Sequence, residues 1–235
     1  MGKRIMAIGA HAGDMEISCG AVLIKEARSG AEVHILHLSL GERGHPRRSP
    51  EDYARQKEEE ALECARRMGV HVHFLRFPDG EVTDSREARL AVAQKVREIR
   101  PNLVVAHWMN SLHPDHSAAH RLADVGVLWA ALEGVGEGPV WRGVGTFLFA
   151  ENWEDPEGFE PYIYVEAAEF REEWREAVRA YELFRGGVSS FPYLDYYDSL
   201  GRIRGAQVGS EWAQAFGVWP WAKRRKVKSL SEEVG

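Results

Sequence analysis

The sequence predicts an α/β protein: a Rossmann-like, doubly wound and mostly parallel sheet with helices on both faces and a C-terminal cap. Three observations lead there. Short apolar runs alternate with longer segments of helical period through the first two thirds of the chain. No linker-like composition or internal repeat interrupts them. At 235 residues with 44% hydrophobic side chains, the chain can bury a core as a single domain.

In order, "RIMAIGA" (4–10) reads as a buried strand, and residues 14–29 as the helix behind it. "EVHILHLSL" (32–40) is a second strand, after which "PEDYARQKEEEALECARRMG" (50–69) sets Tyr53, Ala54, Ala61, Leu62, Ala65 and Met68 at helical spacing. "VHVHFLRF" (70–77), a helix over 85–99, "NLVVAHW" (102–108) and a helix over 115–132 continue the alternation. Such alternation demands right-handed crossovers, and crossovers make the strands parallel. Past residue 140, "WRGVGTFLFAEN" and "PYIYVEA" read as strands and "AAEFREEWREAVRAYELF" (167–184) as an amphipathic helix. Residues 185–221 form an aromatic cap in which Tyr193, Tyr196, Tyr197, Trp212, Trp219 and Trp221 pack. Residues 1–235 are thus one domain, with the core in 1–140 and the later strands, helix and cap in 141–235.

A net charge of −6 and a pI near 6.0 speak against a general nucleic-acid binder, which leaves a basic footprint. The basic run "AKRRKVKS" (222–229) reads as a solvated tail. Cys19 and Cys64 lie in helical segments without a short CxxC spacing, so no disulfide framework is expected. No apolar run reaches the roughly 18 residues that span a bilayer, and "MGKRIMAIGAH" leads into polar sequence rather than a cleavage site. The expectation is a soluble, cytoplasmic protein.

In a doubly wound sheet, ligands gather outside the carboxyl ends of the strands. Three of those ends carry ligand-type residues: His11 and Asp14 after the first strand, Glu42 in "SLGERGHPRR" after the second, and His113, Asp115, His116 and His120 in "HWMNSLHPDHSAAH". Imidazole and carboxylate donors suit Zn²⁺, and a catalytic site supplies about three protein ligands. His11, Asp14 and one of the "HPDH" histidines make such a set. Two histidines and a carboxylate also describe a non-haem iron oxygenase, so Fe²⁺ is the alternative metal. His34, His37, His71 and His73 lie within strands and read as structural; His107 and His120 are placed to orient ligands. No GxGxxG follows a strand, and "EGVGEG" (133–138) follows a helix, which argues against phosphate binding.

"AHAGDMEISCGA", "LGERGH", "FPDG" (77–80) and "HPDHSAAH" together resemble the PIG-L or LmbE-like N-acetylglucosaminyl deacetylase family over roughly residues 4–130. The family's first motif is AHPDDE and its later one HPDH. The resemblance implies a Rossmann-like fold, zinc, and removal of an N-acetyl group from a glucosamine conjugate. It implies His11, Asp14 and His116 as metal ligands, His113 beside the reacting carbonyl, and Asp115 orienting His113. Homo-oligomers, hexamers among them, are common in the family. Two departures stand out. Gly13 and Ala12 replace the first aspartate of the pair, commonly the general base, and the proline before it; Ala213-Gln214 stands where the family often has Ala-Glu.

Zinc can bring the pKa of water to about 7 without a carboxylate, while loss of a positioned base typically costs about 10²- to 10⁴-fold. Glu42, Glu16 and His113 are the available replacements, with Glu42 or His113 preferred because Glu16 lies inside a helix. Arg43, His45, Arg47 and Arg48 on the following loop could hold an anionic group of the substrate, and Asp79 sugar hydroxyls. The expected activity is metal-dependent hydrolysis of an N-acyl group on an amino-sugar conjugate or related small amide. A catalytically silent metal-binding oligomer is the alternative that Gly13 raises.

Overall fold

The computed structural model describes residues 2–155 and 157–224. Five parallel strands, β1 (Arg4–Gly9), β2 (Glu32–His37), β3 (His71–Phe74), β4 (Leu103–Ala106) and β5 (Thr146–Ala150), lie in one sheet. Two further strands, β6 (Ile163–Glu166) and β7 (Ala213–Gly217), complete it in the order β3-β2-β1-β4-β5-β7-β6. β7 runs antiparallel to both of its neighbours. The sheet is therefore mixed but mostly parallel.

Burial on both faces explains why the strands are apolar throughout. In β1, Ile5 and Ala7 enter one hydrophobic cluster and Met6 and Ile8 the other. The first cluster is covered by α1 (Asp14–Arg28), α2 (Pro50–Met68), α5 (Arg171–Val178) and α6 (Tyr193–Gln207). The second lies under α3 (Arg86–Ile99) and α4 (Pro114–Ala130). These two helices approach closely at Gly126, where a Cβ would stand 2.5 Å from Val92 Cγ1. Local chemistry starts the helices where the periodicity does. Ser49 accepts from the Asp52 N–H at 3.2 Å ahead of Pro50, and Ser85 accepts from the Ala88 N–H at 3.1 Å.

The C-terminal third differs from the expected layout. The helix expected over 167–184 is shorter: after Val178 the chain tightens into turns that direct Tyr181 inward, where its hydroxyl donates to Glu16 Oε1 at 2.7 Å. Within the aromatic cap lie a full helix, α6, and the strand β7. Trp212 is buried there against Trp174, their ring centroids 5.5 Å apart, whereas Trp221 and Tyr196 are exposed. Residues 225–229 of the basic run lie outside the described residues. No helix among the described residues is long and apolar enough to cross a membrane.

Gln214 of β7 has a structural task. Its Oε1 accepts from the Val22 N–H at 2.9 Å and its Nε2 donates to the Ser18 carbonyl at 3.1 Å, so the amide spans one turn of buried α1. A glutamate would turn a carboxylate oxygen toward that carbonyl. Gln214→Glu is expected to cost about 1–3 kcal/mol of stability, read as a lower urea midpoint; an unchanged midpoint would show that the amide does not hold α1. The Ala213-Gln214 departure thus belongs to helix packing.

Candidate metal centre

Five strand-end loops meet around one cavity of about 310 Å³, the loop after β2 contributing Gly41 and Gly44. After β1, the chain turns through Ala10 to Gly13 and opens α1 with Asp14, whose Oδ2 accepts from the His11 N–H at 2.7 Å. After β4 comes His107, fully buried, whose Nε2 accepts from the Ala10 N–H at 3.0 Å and ties the two strand ends together. His113 caps α4 by accepting from the Asp115 N–H at Nδ1, 3.2 Å away, with Pro114 in the first turn and His116 just inside the helix. The loop after β3 supplies Asp79 and the loop after β5 supplies Glu154.

Asp14 Oδ2 is the hub. It lies 3.4 Å from His11 Nδ1, 3.4 Å from His116 Nε2 and 3.2 Å from His107 Nε2. Each flanking ring is held from its other side by a carboxylate. His11 Nε2 is 3.1 Å from Asp79 Oδ1 and 3.2 Å from Asp115 Oδ2, and His116 Nδ1 is 3.2 Å from Glu154 Oε2. A carboxylate on the distal nitrogen fixes the tautomer and orientation of a metal-binding histidine, and here two rings are so held. Among the described residues, three overlapping groups bring donor atoms within 4.8 Å of one another: His11, His113 and His116; Asp14, His107 and His116; and His11, Asp79 and Asp115.

Electrostatics follow from crowding. Burial disfavours charge on His11, but Asp14, Asp115 and Asp79 outweigh it and hold its pKa well above the ordinary value. Burial likewise opposes the Asp14 carboxylate, yet His116 and His11 keep its pKa well below the usual range. Burial lowers His107 to about 4 and, with His11 and His116 nearby, lowers His113. Burial raises Glu154. Burial thus favours the neutral form of His107 and His113, whereas the three carboxylates around His11 favour its protonated form, so a divalent cation binding there would displace the His11 proton.

His11, Asp14, His113, His116 and Asp79 all line the cavity. Asp115 is placed differently from expectation: its carboxylate accepts from the Gly80 N–H at 2.8 Å and faces His11, and only its backbone meets His113. Glu42 does not line the cavity, because its Oε1 accepts from the Asp79 N–H at 2.9 Å and its Oε2 from the Ser39 hydroxyl at 3.3 Å. Arg43 also braces that loop, donating to the Asp79 carbonyl at 2.9 Å and to Glu81 at 2.6 Å. Arg47 is exposed away from the cavity, with its backbone N–H on His45. Glu16 is sealed beneath α1 against His37 and Tyr181.

Two charged lining residues escaped the sequence. Glu154 sits in an unpatterned loop, and Lys57 in the charge run "RQKEEE". A signal for Lys57 existed: it falls four residues after Tyr53 and four before Ala61, on the apolar stripe of α2. It is 2% exposed and donates to the Ala12 carbonyl. Burial pulls its pKa down against the nearby carboxylates, Asp14 first.

The turn at Gly13 has φ 109°, and a Cβ there would lie 2.9 Å from Phe184 Cζ and 3.8 Å from Lys57 Nζ. An aromatic ring therefore stands where a side chain at 13 would start. Gly13→Asp is expected to lose about 2–4 kcal/mol through the left-handed backbone and the clash. In a Phe184→Ala background, the same change should cost only about 1–2 kcal/mol. Equal losses in both backgrounds, measured by denaturant unfolding, would show that the ring does not occupy that space.

Residues 6–125 match the family described as PIG-L, GlcNAc-PI de-N-acetylase. The chain belongs to the PIG-L family. Among its relatives is a 1D-myo-inositol 2-acetamido-2-deoxy-alpha-D-glucopyranoside deacetylase of Thermomonospora curvata, 32% identical over 63% of this chain and 60% of that protein. A 4-oxalmesaconate hydratase of Pseudomonas putida is 27% identical over 56% of this chain and 54% of that protein. This PIG-L chain thus spans little more than half the length of those two relatives. It matches 84% of a diacetylchitobiose deacetylase from Thermococcus kodakarensis, at 27% identity over 93% of its own length. The solved structure of conserved protein TT1542 from Thermus thermophilus superposes with a TM-score of 0.80, at 30% identity, covering 96% of this chain and 98% of that one.

Proposed function

We propose that this PIG-L protein is a metal-dependent hydrolase that removes an N-acyl group, N-acetyl first among them, from an amino-sugar conjugate or related small amide. One observation carries the reading: His11 and His116 each turn one nitrogen to Asp14 and the other to a carboxylate. Two imidazoles and a carboxylate fit Zn²⁺, with Fe²⁺ as the alternative occupant. When bound, such a cation lowers the pKa of water and polarises a carbonyl. The deacetylase relatives support the same chemistry.

The chain's own residues divide the remaining work. Because His113 Nδ1 accepts from the Asp115 N–H, its proton resides on Nε2, and the neutral ring serves as a hydrogen-bond donor to the oxyanion that develops on the substrate. Glu42 and Glu16 are held elsewhere, so the proton released by the attacking water passes to a carboxylate lining the cavity, Glu154 or Asp79. The same carboxylate returns it to the leaving amine. Arg43 acts through Asp79 by fixing its loop. Without an aspartate at position 13, turnover is expected to be slow.

The test is acetate release from N,N'-diacetylchitobiose and from N-acetylglucosaminyl-inositol, after chelation and again after adding Zn²⁺ or Fe²⁺. Metal-dependent release supports the proposal; no release with either metal from either compound would sink it. A second reading, hydration of an unsaturated carboxylic acid, is favoured by Gly13, by the buried Lys57 ammonium as a carboxylate partner, and by the hydratase relative. Loss of ultraviolet absorbance from a conjugated enoic acid, without acetate release, would favour it.

A further inference from the structure

At the other end of the sheet from the cavity, three histidines gather on one face. His71 and His73 are alternate residues of β3 and so point the same way, and His34 of β2 pairs in register with His71. The His34 ring stacks on His71 at 4.9 Å between centroids and on His73 at 5.3 Å. His34 Nδ1 and His73 Nε2 are 3.0 Å apart, while His34 Nε2 lies 3.2 Å from Glu32 Oε1. With its Nε2 proton directed to Glu32, His34 presents a lone pair at Nδ1 to His73.

We propose that His34 and His73 form a second transition-metal site, distinct from the cavity, with His71 as the third ligand and Glu32 orienting His34. The spacing suits the chemistry: two imidazole nitrogens on one tetrahedral Zn²⁺, each bound at 2.0–2.1 Å, stand about 3.3 Å apart. The pair needs to open by only a few tenths of an ångström, and the His71 ring, stacked on His34 at 4.9 Å, would have to turn to bring a nitrogen to the ion. The carboxylate on the far nitrogen of His34 is the partner that metal-binding histidines commonly have. Both rings stay neutral near pH 7: burial lowers His73 to about 4, with His34 and Lys95 contributing, and burial with His71 lowers His34 against Glu32. Arg4, Lys95 and Arg100 line the same hollow with Glu32 and Glu98, three cations against two carboxylates. His34 is 7% exposed, and the open side of the hollow at His73 gives the ion its entry.

Chelator-stripped protein titrated with Zn²⁺ tests the site through calorimetric stoichiometry. The wild type is expected to bind one more equivalent than His73→Ala, and His116→Ala is expected to keep that equivalent. This difference stands whether or not the cavity takes a metal, so failure here and failure of the deacetylase reading are separate events. On the wild-type protein, Zn²⁺ should also shift the imidazole NMR signals of His34 and His73. Identical stoichiometry in wild type and His73→Ala, or unmoved His34 and His73 signals at saturating Zn²⁺, overturns the proposal.

Discussion

Replacing His116 with alanine is expected to lower kcat/KM for acyl hydrolysis about 10³-fold or more, roughly 4 kcal/mol of barrier. The imidazole turns Nε2 toward Asp14 Oδ2 and Nδ1 toward Glu154, so its loss removes a proposed ligand and releases a carboxylate together. Metal content should fall in parallel, which separates this variant from one that only misplaces the substrate. Glu154→Gln removes the partner of Nδ1 and should cost metal affinity about 10- to 100-fold, and activity about 10²- to 10⁴-fold where Glu154 rather than Asp79 carries the proton. Metal analysis beside steady-state kinetics checks both. A His116→Ala protein that kept its metal and its turnover would remove His116 from the centre.

Arg97→Met should be among the most destabilising single changes in the chain, at about 3–5 kcal/mol by urea unfolding. Arg97 is 5% exposed and reaches five backbone carbonyls, those of Trp129, Ala130, Leu132, Val135 and Glu137, at 2.6 to 3.2 Å. These belong to the last turn of α4 and the glycine-containing loop after it. α4 has no basic residue in its own last turn, so the guanidinium of α3 supplies the positive charge that a helix C-terminus favours. Methionine fills much of the volume but removes the guanidinium from all five; the Ala130, Trp129 and Leu132 carbonyls keep a backbone donor each, from Trp141, Leu132 and Val135, while those of Val135 and Glu137 lose the donor described for them. Arg97→Lys should recover only part of the loss, because an ammonium lacks the planar fork. A loss below about 1 kcal/mol for Arg97→Met would mean that solvent replaces these bonds.

The first two thirds of the fold could be read from period and punctuation, since the alternation of β1 to β4 with α1 to α4 rests on local rules that Ser49, Pro50, Ser85 and Pro114 also obey. α6 and β7 escaped because their burial is decided by distant partners: Trp212 meets Trp174, and Gln214 meets α1. At the candidate centre, strand-end logic was enough to gather His11, Asp14 and the HPDH histidines, and the family resemblance singled out His116 among them. It could not tell which way a carboxylate turns. Glu42 and Asp115 both stand near the proper strand ends, yet one accepts from Asp79 and the other faces His11. Lys57 was hidden by its company, a cation among charges whose position on the helix, rather than its type, set its burial.

The placement of β7 between β5 and β6 bears on how the molecule is made. Among the described residues β6 pairs only with β7, so during synthesis it must wait with both edges open until residues 213–217 have left the ribosome. The loop bearing Glu154 lies between β5 and that waiting strand. A nascent chain cut short before residue 213 would carry most of the donor residues but leave two unpaired strand edges facing water, an invitation to aggregate.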